Sequence, residues 1–494
     1  MKGMASVDLP IIHERTMQYP SDSSSELPTN SANIIATLSA ACETRTESDF
    51  RENYGRDWLR DYKPEPLCIC FPRSVEEVQA VVRICRDARH PIVPSGGRTG
   101  LAGGATATRG EVVLSLEKMN RISAVNRQER TVTVEAGATT ELVQRAAEEA
   151  GLFLPIDFAS KGSSQIGGNI ATNAGGVRVI RWGMTRSHVA KLSAVLADGS
   201  VLRCGHGLVK DQAGYDLKQL FIGSEGTLGI ITEATLRLVT PPQPAVRVWA
   251  GLERLSDAAS LLAFCREKGV TLELFELVQR AALEPVLSFK QKRDPLSRSF
   301  PVYVLLEAEL PARTDGREVL ESILAEAFER EIVQDMVVAE SLTQAQELLS
   351  LRELISETLS SHFTIHKNDV SVATTDIPPF LDELIARAQS LEPSFTPAVF
   401  GHMGDGNLHI NFLKPSDITD EEFFSRCHHL DSELFSCVER YRGSVAAEHG
   451  VGLLKRDFLS YTRSPEEIAV MRAIKQALDP LNIMNPGKVI PPAS

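Results

Sequence analysis

Apolar positions in "RSVEEVQAVVRICRDARH" recur every three or four residues, which predicts a helix opened by a capping box from Ser74 and Glu77. Shorter apolar runs around it read as strands: "PIVP", "EVVLSLEKM" and "RTVTVEAG". "TELVQRAAEEAG" predicts another helix, "KLSAVLADGSVLRC" a hairpin turning at Asp198-Gly199, and "GTLGIITEATLRLV" later strands. The segment "TPPQP" at 240–244 interrupts the pattern and marks a boundary. Beyond it the pattern is strand, helix, strand: "AVRVWAGL", a helix from Asp257, "PVYVLLEAEL", a helix from Asp315, then "IVQDMVVA". "DVSVATT" and a helix from Pro379 repeat the scheme. An α+β chain follows, its second part having helices on one face of an antiparallel sheet.

One stretch combines a strand pattern with chemistry. "GHMGDGNLHINF" centres on Asp405-Gly406, a favoured hairpin turn, and its histidines are seven residues apart. On one straight strand an odd separation would send the two rings to opposite faces. Folded at that turn, His402 lies across from His409 and Phe400 across from Asn411, with the imidazole-bearing Cβ atoms roughly 5 Å apart. The pattern therefore predicts a two-histidine corner.

Composition narrows the choice of partner. A chain of 494 residues predicts two or three domains, and 43% hydrophobic with 24% charged residues is ordinary for a globular protein. The net charge of -13 argues against nucleic acid or an anionic membrane surface as the main partner. The 8 cysteines lack CxxC spacing and no secretory signal is visible, so reduced thiols in the cytoplasm are expected. No apolar run approaches the roughly 20 residues of a membrane span, so no integral membrane protein is expected. "SDSSSELPTNS" reads as a mobile lead-in.

Three glycine-rich tracts fall in the first part: "PSGGRTGLAGGA", "GSSQIGGNIATNAGGVRVIRWG" and "GSEGTLGI". The first follows a strand, where glycines let backbone N–H groups approach an anion. Its GxxGxxG spacing is not the Rossmann fingerprint, and no GxxxxGK[ST] loop occurs. Tight turns are the bland explanation of any single tract. Three tracts interleaved with Arg98, Asn169 and Asn173 favour a long dinucleotide.

With "GHMGDGNLHIN", "AAEHGVG" and "LDPLNIMNPGKV" added in order, the motifs resemble the FAD-linked 2-hydroxy acid dehydrogenases, flavoproteins of the vanillyl-alcohol oxidase type. The resemblance spans roughly residues 50 to 490 and is strongest to the branch acting on D-2-hydroxyglutarate, with the D-lactate branch close. It implies a lead-in and helical segment at 1–61, an FAD-binding domain at 62–242 and a ferredoxin-like α+β substrate or cap domain at 243–445. A C-terminal segment, 446–494, would return to the flavin.

By that resemblance Pro94, Ser95, Gly96, Gly97, Arg98, Thr99, Gly100, Gly103 and Gly104 cradle the FAD pyrophosphate. Ser163, Gly167, Asn169, Thr172 and Gly176 line the flavin, Ile230 approaches the adenosine, and Asn485 the isoalloxazine end. The first loop has no histidine, and no cysteine lies between Cys85 and Cys204, so non-covalent FAD is expected. His402 and His409 offer two nitrogens, and Glu448 is the candidate carboxylate of a catalytic metal site. Zinc is the first expectation; manganese, cobalt and iron stay open. Two isolated histidines are more often a hydrogen-bonded core pair.

The resemblance makes His449 the base for the substrate hydroxyl, with orienting Glu448 as its alternative role. Arg352, Ser356 and Lys367 match the arginine, threonine and lysine that bind carboxylates in the 2-hydroxyglutarate branch, and Asn411 joins them. Otherwise Arg352 and Ser356 belong to a solvated helix face. Asp211, Lys218 and Arg178 receive no catalytic role. The implied activity is oxidation of a small dicarboxylic D-2-hydroxy acid, with D-lactate, D-malate or glycolate as alternatives. No iron–sulfur cysteine run is seen, so electron-transfer flavoprotein or a quinone is the expected acceptor. A homodimer stays open. A flavin-free zinc hydrolase and a catalytically silent flavin-binding module are the competing readings.

Overall fold

The computed structural model describes residues 31–311 and 315–492. Most of the expected lead-in lies outside the described residues. The first part contains two small sheets. In one, β1 (Glu43–Arg45), β2 (Cys68–Phe71), β3 (Ile92–Ser95) and β4 (Val112–Ser115) lie in the order β1-β2-β4-β3, the last three mutually parallel. In the other, β5 (Thr131–Glu135), β6 (Val189–Val195), β7 (Val201–Cys204) and β8 (Ile230–Arg237) form an antiparallel sheet ordered β5-β8-β6-β7.

One core joins both sheets to their helices. The helix Val75–Asp87 buries Val78, Val81, Val82 and Cys85, the stripe its spacing predicts, and Thr140–Glu149 buries Val143 and Ala147. Ser74 Oγ accepts the Glu77 N–H at 3.3 Å, while the Glu77 carboxylate caps the Arg73 N–H at 2.8 Å. After the helix Pro465–Leu478 the chain returns to β3: the Ile92 N–H donates to Ile483 O and the Asn485 N–H to Ile92 O, both at 2.8 Å.

The second part is a seven-stranded antiparallel sheet. Its strands are β9 (Ala245–Leu252), β10 (Leu272–Gln279), β11 (Val302–Glu309), β12 (Asp335–Val338), β13 (Ile365–Ser371), β14 (Thr396–Gly401) and β15 (Asn407–Leu413). They are ordered β12-β9-β11-β10-β14-β15-β13. Two differences from the sequence reading matter for the site. First, β10 was not expected, because Glu273 and Glu276 break its apolar run. Both are fully buried in a central strand, Glu273 paired with Arg178 and Glu276 with Arg352.

Second, helices cover both faces of this sheet rather than one. Leu255–Glu267, Gly316–Glu329, Ile377–Leu391 and Asp420–Arg440 pack on one side. Arg280–Phe289 and Leu342–His362 pack on the other, over Trp249, Tyr303, Ala398 and Phe400. The alternation along each strand supplies both cores, since nearly every position of β9, β10 and β11 is buried. Truncating Leu351 or Ile355 in the second core costs about 2–5 kcal/mol.

The hairpin register also differs. Phe400, not His402, pairs with His409, and Ala398 pairs with Asn411. A two-residue turn at Asp405-Gly406 needs positive φ at both positions, and only Gly406 has it, at 90°. Met403–Asp405 instead forms a 3-10 turn, and the Asn407 N–H donates to His402 O at 3.2 Å. The shift is by an even number of residues, so both histidines keep one face. Their ring centroids are 5.3 Å apart. The corner survives with a longer turn.

Candidate active site

Alternation places Glu276 of β10, Lys367 and Asp369 of β13, Phe400 of β14, and His409 and Asn411 of β15 on one face of the large sheet. His402 follows β14 at its end. Glu276 Oε1 sits 2.7 Å from His402 Nδ1, and Glu276 Oε2 accepts from Arg352 Nε at 2.8 Å. Arg352 also stacks over the Phe400 ring at 4.7 Å. It is 6% exposed, so it does not belong to a solvated helix face.

The loop after Val445 brings in Glu448 and His449. Asp369 Oδ2 accepts three successive backbone N–H groups, from Ala447 at 3.2 Å and from Glu448 and His449 at 3.0 Å each. This curls the loop around one carboxylate, so neighbouring side chains that a strand would splay apart converge instead. Glu448 Oε1 then lies 3.8 Å from His402 Nε2, 3.6 Å from His409 Nε2 and 3.7 Å from His449 Nε2. Asp369 backs the other side of two rings, 3.8 Å from His409 Nδ1 and 3.6 Å from His449 Nδ1. The three expected ligands meet.

The charges on these groups have identifiable causes. Burial opposes a charged His402, but Glu276 and Glu448 outweigh it and hold its pKa well above the ordinary value. Burial drives His409 down to about 3, leaving it a neutral imidazole. Burial would raise Asp369 and Glu448, yet His449 and Lys455 for the first, and His402 and His409 for the second, keep both carboxyls low. Among the described residues, potential ligand atoms of Asp369, His409, Glu448 and His449 lie within 4.8 Å of one another, with His402 on the flank. Imidazole nitrogens and carboxylates backed by further carboxylates fit a divalent metal, which would displace the proton on His402.

This corner opens on a cavity of about 1210 Å³ that runs to the glycine loops. Pro94 to Gly100, Gly104, Ser163, Gly167, Asn169, Thr172 and Gly176 line one part. Arg352, Ser356, Lys367, Asn411, His402, His409, Glu448 and His449 line the other. The lining suits a bound dinucleotide. Ser95 Oγ and Gln165 Oε1 are buried at the cavity with no hydrogen-bond partner among the described residues. A Cβ at Gly97 would stand 2.1 Å from Ser163 O, so only glycine allows the two loops to touch. Lys367 is open to the cavity; burial lowers its pKa and Asp61 opposes that.

Three expected flavin contacts stand behind the wall. Gly103 faces Leu453, Ile230 is buried in the core between Gly229 and Ile231, and Asn485 Nδ2 holds Gly104 O at 2.9 Å and Glu225 O at 2.6 Å. Sequence reasoning missed Glu276, hidden in the unrecognised β10, and Asp369, which pairs with His409 across β13 and β15. Pairing "DVSVATT" with the hairpin would have found Asp369. Arg178 locks the cavity wall through Glu273 at 2.6 Å and Asp157 at 3.4 Å.

Models of the FAD binding domain and of the C-terminal domain of FAD linked oxidases match residues 66–205 and 241–489. The chain belongs to the FAD-linked oxidases. The D-2-hydroxyglutarate dehydrogenase of Stutzerimonas stutzeri (strain A1501) is 44% identical over 92% of this chain and 97% of that protein. The one from Xanthomonas citri pv. viticola is 47% identical over 91% and 94%. The p-cresol methylhydroxylase structure superposes with a TM-score of 0.74 at 18% identity, covering 94% of this chain and 98% of that one. This FAD-linked oxidase therefore has the vanillyl-alcohol oxidase-type fold. Among its described residues no helix is long and apolar enough to cross a membrane.

Proposed function

We propose that this FAD-linked oxidase converts a D-2-hydroxy acid, D-2-hydroxyglutarate above others, to the 2-oxo acid. One observation carries the reading: the histidine–carboxylate corner, two cations and the glycine loops share a single cavity. The names of the relatives add the substrate. When bound, FAD supplies the two-electron acceptor and a divalent ion, zinc by preference, supplies a Lewis acid. His402, His409 and Glu448 would hold the ion, with Asp369 backing His409 and His449 from their Nδ1 side.

The chain's own residues do the rest. Glu276 fixes the His402 ring, and Asp369 fixes the loop that aims His449. His449 takes the hydroxyl proton at Nε2, the nitrogen facing Glu448. With that proton removed, the Cα–H bond can give up its electron pair, leaving the 2-oxo acid. Arg352 has Nε committed to Glu276, so its terminal nitrogens would meet one carboxylate. Lys367, with Ser356 and Asn411 beside it, would meet the second.

The flavin is non-covalent in this reading, since no histidine or cysteine stands in "PSGGRTG". Electrons leave to electron-transfer flavoprotein or a quinone, a cytoplasmic setting suits eight buried free thiols, and a homodimer is kept. One core built from residues before 242 and joined by Ile483 and Met484, and another built from 246–445, support the proposed domain division with its C-terminal return. The test is colour: the purified protein is yellow, and D-2-hydroxyglutarate bleaches it without oxygen. Faster bleaching by D-lactate or D-malate would replace the substrate, and no bleaching by any D-hydroxy acid would end the reading. Acid precipitation should leave the yellow in the supernatant; colour retained in a washed pellet contradicts non-covalent binding.

A further inference from the structure

The loop carrying Glu448 and His449 is built onto the flavin side as well as onto the sheet. Glu225, in "GSEGTLGI", is buried and adopts a left-handed backbone with φ 50°. Its Oε1 accepts the Val451 N–H at 2.7 Å and its Oε2 the Gly452 N–H at 2.9 Å. Its own N–H donates to Ala171 O at 2.8 Å, in the helix Ile166–Thr172. Its carbonyl accepts from Asn485 Nδ2 at 2.6 Å, the same nitrogen that donates to Gly104 O. One residue thus ties the flavin helix, the pyrophosphate loop and the metal loop together.

A second contact runs beside it. Ala102 O accepts the N–H groups of Leu453 at 2.9 Å and Leu454 at 3.1 Å. Gly452 packs so closely that a Cβ would stand 2.0 Å from Ala102 O. A Cβ on Gly104 would press on Glu225 Oε2 at 3.0 Å, and one on Gly450 on Oε1 at 2.9 Å. Gly104 and Glu225 both line the cavity, so whatever fills it bears on this joint.

We infer that Glu225 is a positioning residue that makes FAD binding and metal binding mutually dependent. The inference rests on the metal reading above. A filled flavin site restrains Ala102, Gly104 and Glu225, and they restrain Val451 to Leu454, three residues from Glu448. The cost of ordering the metal loop is then met once for both ligands. Linkage makes the effect reciprocal, so removing the metal must loosen FAD by the same factor that removing FAD loosens the metal.

The experiment uses the FAD-loaded full chain. FAD affinity is measured by flavin fluorescence in zinc-loaded protein and in the same protein stripped with a chelator. Stripping should weaken FAD binding roughly tenfold in the wild type. In Glu225→Gln, whose amide presents an N–H to one of the two backbone donors, the factor should fall to within about twofold of one. A merely structural role would lower both affinities and leave their ratio alone. Should Glu225→Gln not fold, Gly104→Ala tests the joint from the flavin side and should shrink the ratio too. An unchanged FAD affinity on stripping the wild type, or a full factor in the folded variants, overturns the inference alone. A wild type that holds no divalent metal and takes up neither zinc, manganese nor cobalt overturns the metal reading and the inference with it.

Discussion

On the flavin side of the cavity the buried carboxyls are pushed up, Asp57 to about 6 and Glu225 to about 7, because burial outweighs the N–H groups they accept. On the sheet side Glu276, Asp369 and Glu448 are just as enclosed, yet all are held below the ordinary range by His402, Arg352, Lys455 and their neighbours. The same residue type behaves oppositely on facing walls. One wall binds through backbone groups and shape, and in weak acid its two buried carboxyls carry no charge beside a diphosphate. The other keeps Glu276, Asp369 and Glu448 charged, while Asp405 beside them is pushed up to about 7 by burial. The difference separates a wall suited to an anionic cofactor from one whose charge suits the proposed metal and proton transfer.

If the sheet wall works through charge, removing its central oxygen is the largest cut. Glu448→Ala should lose the metal and lower kcat by on the order of a thousandfold, about 4 kcal/mol. It should stay folded, and yellow when FAD is supplied well above its affinity, because the flavin wall keeps its own side chains although metal loss weakens FAD through Glu225. Near-normal turnover in metal-depleted protein would break the comparison. The next effect is selective. A second carboxylate on the substrate needs a second cation, and Lys367→Ala should cost about 2–3 kcal/mol in kcat/KM for D-2-hydroxyglutarate. D-Lactate turnover, where it occurs, should change little. Equal losses for both acids would take Lys367 out of the selectivity argument.

The two walls were also unequally legible in the sequence. The flavin wall announced itself as ordered glycine tracts, because close approach leaves glycine no substitute. Which residues touch the cavity was not readable, so Gly103, Ile230 and Asn485 were placed at the surface of a wall that they support from behind. On the sheet wall His402, His409 and Glu448 were readable one by one, since imidazole and carboxylate carry their chemistry with them. Their buttresses were not. Glu276 lies in a strand whose buried charges disguise it, and Asp369 becomes visible only through a register that sequence does not state. The hairpin register differs by two residues from the one the turn pattern predicts, without harm, because an even shift keeps the faces.

The smallest expected effect tests the flavin wall by pH. Asp57 and Glu225 sit above the ordinary carboxyl values of 3.8 and 4.5, so the folded protein keeps their protons in weak acid and releases them between about 6 and 7. Asp57 Oδ2 would stand 3.2 Å from a Cβ at Gly100, and Glu225 Oε2 3.0 Å from one at Gly104, so both charges would appear beside the pyrophosphate cradle. The diphosphate is already ionised throughout this range. FAD affinity should therefore fall as pH rises from 5.5 to 7.5, by roughly three- to tenfold for charges separated by several ångströms of partly solvated protein. Lys488, lowered by burial to about 8, still carries its proton there and limits the drop. At fixed metal, Asp57→Asn should flatten the lower part of the curve and Glu225→Gln the upper part. An FAD affinity that does not fall with pH would mean that the flavin wall bears its negative charge already at pH 5.5, and a fall that survives both substitutions would assign the effect to other groups.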